Sequence, residues 1–191
     1  MIDMLKNLKN KIINIVAFFL ATMFFSCANS VKEVNDFLAD KNLPVGESEN
    51  VRHVYKDSGN IVFRLLTPLL LDFSNREEHP YSEYPKGIKL ITIDKLGIDS
   101  TTITGNYAIS YSKTSISELI GDVVVYNHTE KSKLKTPQLY WDQKTNYFFT
   151  EDEFSLIVEG DTINGKGFES NLNLSGWVLK KITGNLKVKE E

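Results

Sequence analysis

The sequence is poor in the residues that most catalytic and metal chemistry uses. One cysteine among 191 residues excludes a disulfide framework within the chain and any multi-cysteine metal site. The three histidines, His53, His79 and His128, lie too far apart in sequence to share local metal-ligand spacing and read as surface side chains. There is no G-x-x-x-x-G-K-[ST] phosphate loop and no G-x-S-x-G elbow, so neither nucleotide hydrolysis nor a serine nucleophile is signalled. Gly165-Lys166-Gly167 is a fragment of a dinucleotide fingerprint that a turn or bulge between strands accounts for better. Glu151, Asp152 and Glu153 could be imagined as a glycosidase pair, but such carboxylates must converge across a cleft, and a solvated turn is the simpler reading. Asn127-His128-Thr129 has glycosylation-acceptor spacing, which says nothing beside a leader of bacterial type. With a formal charge of −3 there is no basic stripe for nucleic acid either. The sequence therefore predicts no catalytic residue, no metal ligand, no cofactor and no nucleic-acid partner.

What the chain has is apolar residues, at 41% of the total, in two kinds of pattern. That supply is enough for one domain with a real core. The first pattern is a leader: Lys6, Lys9 and Lys11, then Ile12 to Phe25 interrupted only by Asn14 and Thr22, then Ser26 and Cys27. This is a signal-peptide layout. As a helix the apolar run reaches about 21 Å at 1.5 Å per residue, short of the roughly 30 Å hydrocarbon core, so a cleaved leader is favoured over a permanent span. Cys27 resembles the acylated cysteine of bacterial lipoproteins, although Phe24 and Phe25 stand where an aliphatic and a small residue are usual. The alternative is a lone buried thiol ending a hydrophobic helix. Residues 1–26 are expected to be a signal peptide or membrane anchor, 27–49 a tether, and 50–191 the exported domain. Within the tether, Ser30 and Glu33 have capping-box spacing, with Val31, Val34, Phe37 and Leu38 on one helical face and a stop at Leu43-Pro44.

The second pattern is strand alternation, which runs almost unbroken from Val51. A hairpin is predicted from Val51–Lys56 and Ile61–Phe73 about Asp57-Ser58-Gly59-Asn60, with Pro68 marking a bulge, an edge or a crossing between sheets. Ser74 to Pro85 reads as the longest loop. Strands follow at Gly87–Asp94 and Ile98–Tyr111, the latter bulged at Gly105-Asn106. Ser117 to Asp142 reads as two long strands: Leu119, Val123 and Val125 face one way and Ile120, Val124 and Tyr126 the other, so the first strand is central. Further strands are expected at Asn146–Thr150, Phe154–Glu159, Asp161–Ile163, Leu172–Leu179 and Ile182–Val188, with a turn at Asn164-Gly165. A loose echo, Ile103-Thr-Gly-Asn, Leu119-Ile-Gly-Asp, Ile163-Asn-Gly-Lys and Ile182-Thr-Gly-Asn, places glycine two residues after an aliphatic. The fold class is all-β: a sandwich, jelly roll or open barrel.

Four stretches in this order, Tyr55-Lys-Asp-Ser-Gly59-Asn-Ile-Val-Phe-Arg64-Leu, Leu119-Ile-Gly121-Asp-Val-Val-Val, Leu134-Lys-Thr136-Pro-Gln-Leu-Tyr-Trp141-Asp142 and Gly165-Lys-Gly167-Phe-Glu169, resemble the LptC family of lipopolysaccharide export. The resemblance covers about residues 50 to 188 and implies an open, twisted β-jelly roll of antiparallel strands with an apolar trough between its sheets. It also implies a non-enzymatic bridge at the periplasmic face of the inner membrane, which accepts lipopolysaccharide from an ABC transporter and passes it to the next jelly-roll protein. Known members keep a transmembrane helix where this chain has a leader ending at Cys27. Phe63, Leu65, Ile91, Ile103, Val123, Val125, Leu156, Val158 and Phe168 are the expected lipid-lining residues, or else the filling of a closed core. The transporter-facing edge is expected near Tyr55 and Gly59, and the bridge-facing edge at Gly160 and the strands after it, with Gly165 and Gly167. A lipoprotein β-sandwich that binds a glycan or serves as an adaptor is the alternative from another class.

Overall fold

A computed structural model describes residues 30–183 apart from Lys95, Asn173 and Ser175. The leader, Cys27 and the predicted arm beyond Thr183 lie outside the described residues. The chain divides into two compact units, Met1–Phe37 and Leu38–Glu191. The one described helix, α1 (Val31–Asp40), starts at the expected capping box: the Ser30 hydroxyl accepts from the Glu33 N–H at 3.1 Å, and the Glu33 carboxylate accepts from the Ser30 N–H at 2.9 Å. It stops at Asp40, three residues before Leu43 of the Leu43-Pro44 signal. Asn42 takes φ 54°, and the Asn42 and Leu43 amides donate back to Ala39 and Leu38 at 2.9 and 2.8 Å. This closure uses asparagine for its left-handed position. No helix among the described residues is long and apolar enough to cross a membrane.

The rest is one antiparallel sheet of eleven strands, an all-β jelly roll. They are β1 (Gly46–Asp57), β2 (Asn60–Phe73), β3 (Tyr81–Tyr84), β4 (Ile88–Ile93), β5 (Asp99–Gly105), β6 (Tyr107–Tyr111), β7 (Ile116–Asn127), β8 (Lys133–Asp142), β9 (Tyr147–Val158), β10 (Asp161–Asn171) and β11 (Trp177–Thr183). The hairpin turn forms as predicted, with Ser58 at φ 49° and Gly59 at φ 86°.

The sheet is folded along a crease. β2 pairs with β4 over Phe63–Leu66 and then with β3 over Leu71–Phe73, so Pro68 is a crossing from one half-sheet to the other. β7 does the same, pairing with β6 through Ile120 and with β5 from Val124. The crease passes through Pro68, Gly87, Gly105-Asn106, Gly121-Asp122, Pro137 and Lys166-Gly167. Side-chain phase changes there: Leu134 and Thr136 point inward on β8, and Leu139 and Trp141 take over beyond Pro137. Strict alternation would have turned Leu139 and Trp141 outward. The glycine echo acquires a cause, since Gly105 and Gly121 sit on this line and Gly165 immediately before it, each after an inward aliphatic; Gly184 lies outside the described residues.

Two Thr-Pro steps build the crease by the same bonds. The Thr67 hydroxyl reaches the Leu69 and Gly87 carbonyls at 2.9 and 2.8 Å. The Thr136 hydroxyl reaches those of Gln138 and Glu153 at 3.0 Å each. Each threonine thus caps carbonyls that a bent strand takes out of the ladder.

Several boundaries differ from expectation. β1 begins at Gly46, inside the predicted tether, because its first half is an edge strand held by backbone pairing with Leu69–Asp72 and carries no apolar side chain to announce it. β3 occupies the predicted loop Ser74 to Pro85. Glu151–Glu153 and Asn164-Gly165 are not turns; β9 and β10 run straight through them.

Candidate functional site

The two half-sheets face one another across a shared apolar interior. One half supplies Leu90, Ile103, Val123, Val125, Leu134, Phe154 and Leu156, and the other Tyr84, Ala108, Leu119, Leu139, Trp141, Phe148 and Phe168. The rings bridge the halves: Phe63 meets Trp141 edge-on at 6.2 Å and Phe154 meets Phe168 at 5.4 Å.

This interior is not filled evenly. Toward β1 it encloses a cavity of about 170 Å³, lined by Phe63, Leu65, Ile88, Leu90 and Ile103 from one half and by Tyr84, Ala108, Leu119 and Trp141 from the other, with His53, Ser110, Ser117 and Gln143 at its border. Of the nine predicted lipid-lining residues, Phe63, Leu65 and Ile103 meet here. Val123, Val125, Leu156 and Phe168 are sealed in the packed part of the core, each at most 1% exposed, and Val158 packs against it. Ile91 is on the other side of the sheet: it pairs with Arg64 and Thr102 on the outer face, and its neighbour Leu90 is the residue that points in. A one-residue phase error in the β4 pattern Ile88-Lys-Leu-Ile-Thr-Ile separates the two, and the inward Leu90 was legible from the outward Lys89. Trp141 and Leu119 were visible in the quoted motifs; their place in the cavity depends on pairings between distant strands.

The cavity lining includes no Asp, Glu, Lys or Arg side chain. Burial pushes the Tyr84 phenol above its ordinary pKa, so it remains a hydroxyl. Charge is kept to the outer face, where burial and the hydrogen bond to Glu83 raise the Tyr107 phenol and burial together with Glu118 raises that of Tyr140. Among the described residues no group of His, Cys, Asp or Glu is arranged to hold a metal ion.

At the ends of the sheet, β1 pairs only with β2 and β11 only with β10, so each presents one unpaired backbone edge among the described residues. Tyr55 lies on β1, half-exposed and stacked on Phe63 at 4.9 Å, and Gly59 is in the β1–β2 turn. Gly160 is in the β9–β10 turn, with open space where a Cβ would be. Gly165 and Gly167 are one strand in from the edge. A Cβ on Gly165 would meet the Lys181 carbonyl oxygen at 2.3 Å and the Phe154 ring at 2.7 Å, and one on Gly167 would meet Lys180 at 2.8 Å. Both glycines let β11 and the core close over the crease, and β11 itself is the free edge.

No curated protein matches the chain. A sequence model of one family, described as LptC: Lipopolysaccharide-assembly, LptC-related, matches residues 47–185, from the second residue of β1 to beyond the end of β11. The chain therefore belongs to the LptC-related lipopolysaccharide-assembly family, whose members are periplasmic, inner-membrane-associated components of lipopolysaccharide transport and not enzymes.

Proposed function

We infer that this chain is a bridge segment that accepts lipopolysaccharide from an inner-membrane ABC transporter and passes it to the next jelly-roll protein, holding acyl chains between its half-sheets. The observation that carries this reading is the combination of an apolar interior, hollow near β1, with one unpaired edge at each end of the same sheet. Unpaired backbone groups take up a partner strand readily, and a partner added at β1 would extend the interior from the hollow end. β1 is assigned to the transporter and β11 to the bridge protein. Cys27 is assigned as the acylated anchor. Acyl chains contribute about 0.8 kcal/mol per buried methylene, so several on one cysteine hold the domain at the membrane without a spanning helix.

A photo-crosslinker at Phe63 or Leu90 is expected to capture lipopolysaccharide in cells, and one at Ile91, on the opposite face of the same strands, is not. Equal capture at Leu90 and Ile91 would sink the trough assignment. Depletion of the protein is expected to make lipopolysaccharide accumulate at the inner membrane, and mass spectrometry of the mature N-terminus tests Cys27.

A further inference from the structure

Two notches lie along the crease on the outer face of the sheet, on the side away from the apolar interior. The one toward β11 is lined by Asp122 and Glu153 as well as Lys135, so its charges are mixed. The one toward β1, a cleft of about 660 Å³, is lined by Arg52, Lys86 and Lys89 and by no carboxylate. Strand register puts the cations there. Arg52 on β1 and Lys89 on β4 both pair with Leu66 of β2, so they leave the same face two strand spacings apart, about 10 Å, a gap that two long side chains can close around one ligand. Lys86 joins them from the β3–β4 connection. The notch itself comes from broken pairing: Asn50 takes φ 52° and is passed over between Glu49↔Leu69 and Val51↔Thr67, opposite Pro68, which has no N–H to offer.

The three cations are exposed, and their side chains have no ion-pair or hydrogen-bond partner among the described residues. The other two arginines are both engaged, Arg64 with Asp99 and Arg76 with Asn42 and Asn75. In a chain of formal charge −3, three like charges gathered without a carboxylate repel one another and focus a positive field on one cleft. We propose that this cleft binds a phosphomonoester group through Arg52, Lys86 and Lys89, with the Asn50 and Asn106 amides at its margin. A phosphomonoester carries a charge of about −1.5 to −2 and three acceptor oxygens. It nearly balances the three cations and engages the guanidinium fork and both ammonium groups at once. A carboxylate, with one charge and two oxygens, leaves most of those donors unmet. The volume is that of a small-molecule site, with room for the sugar or glycerol that carries the phosphate. The cleft and the interior lie on opposite faces of the same strands, so this site stands whether or not acyl chains enter between the half-sheets.

The test is a phosphorus NMR titration of the full chain in maltoside micelles, which contain no phosphate, with glycerol 3-phosphate standing for a phospholipid headgroup and glucose 1-phosphate for a phosphorylated saccharide. Both are expected to bind, and acetate at equal concentration is expected to compete poorly. Arg52→Gln and Lys89→Gln should each weaken binding by about tenfold or more, the worth of a charge-assisted hydrogen bond, with Tm unchanged. Lys135→Gln removes the same charge from the other notch and should change binding by less than about twofold. Tighter binding of one probe assigns the source of the phosphate, and equal binding assigns recognition to the phosphate alone. Binding of neither probe, equal weakening by Lys135→Gln and Arg52→Gln, or competition by acetate as strong as by phosphate overturns the proposal. None of these results bears on the crosslinking at Leu90, whose failure would sink the trough and leave this cleft standing.

Discussion

Gly165→Ala is the sharpest test of how β11 is held. Gly165 pairs with Phe154 on one side and Ile182 on the other, and the added methyl would lie 2.3 Å from the Lys181 carbonyl oxygen and 2.7 Å from two Phe154 ring carbons. Carbon–oxygen contacts close to about 3.3 Å at the nearest, so β11 must retreat by about 1 Å. That stretches ladder bonds beyond the normal limit of about 3.2 Å, or else Phe154 must leave its place. Overpacking of this kind costs about 1–3 kcal/mol and each weakened ladder bond about 1 kcal/mol. Against this, replacing glycine gains about 0.4–1 kcal/mol from the unfolded chain. The net loss of about 2–3 kcal/mol predicts a fall in Tm of about 4–12 °C for a domain of this size. Hydrogen exchange resolves where the loss falls: amides of β11 and the facing half of β10 should lose protection before those of β7 and β8. Gly160→Ala is the control, because its φ of +90° is strained but nothing lies within 4 Å; it should cost about 1–2 kcal/mol without selective loss at β11. A Gly165→Ala protein with unchanged Tm and unchanged β11 protection would refute the packing argument.

Three further outcomes follow from the fold. Thr136→Val should destabilise by about 1–3 kcal/mol, since it removes the single hydroxyl proton that the Gln138 and Glu153 carbonyls share, whereas Thr136→Ser should lose much less; urea denaturation distinguishes them. Lys180 bonds Glu151 and, at 2.9 Å, Glu169, which lowers the Glu169 pKa below its ordinary 4.5 and raises that of Lys180 above 10.5, each chiefly through the shared hydrogen bonds. The stability difference between wild type and Lys180→Met should therefore be flat between those two values, fall away as pH drops below 4.5 toward the lowered Glu169 value, and fall away again as pH climbs past 10.5 toward the raised Lys180 value; a difference that stays constant as pH falls below 4.5 would contradict it. Ser30→Ala should weaken α1 by about 1 kcal/mol through loss of its cap, read as faster amide exchange in its first turn.

The fold class was legible because its signal is local. Alternation over Ile61–Phe73 and Ser117–Asp142, with glycine and proline between, identifies strands wherever one face is buried. The crease was legible only in part. Pro68 and Gly105-Asn106 were readable as interruptions, but Glu151–Glu153 and Asn164-Gly165 look like turns in sequence because a strand that bends outward at a crease exposes polar residues as a turn does. The half-polar edge of β1 left no trace, since backbone pairing needs no particular side chain. The cavity was the least legible feature. Leu119 and Trp141 stand apart in sequence and lie in one wall by register, and no spacing rule distinguishes a residue that lines a hollow from one that fills a core.

The Thr-Pro steps have a mechanical consequence. Because β2, β7, β8, β9 and β10 each run through both half-sheets, the halves cannot part like two plates; they can move only as arms of a lever whose fulcrum is the line of Thr67 and Thr136. An arm of five residues at about 3.4 Å each is about 17 Å long. Rotation by about 10° at the fulcrum then widens the far lips by about 3 Å, most of the girth of an alkyl chain, while the hydroxyl-to-carbonyl bonds at the pivot hardly change length. A small torque applied at β1 or β11 would thus be converted into a change of about 3 Å at the far lips.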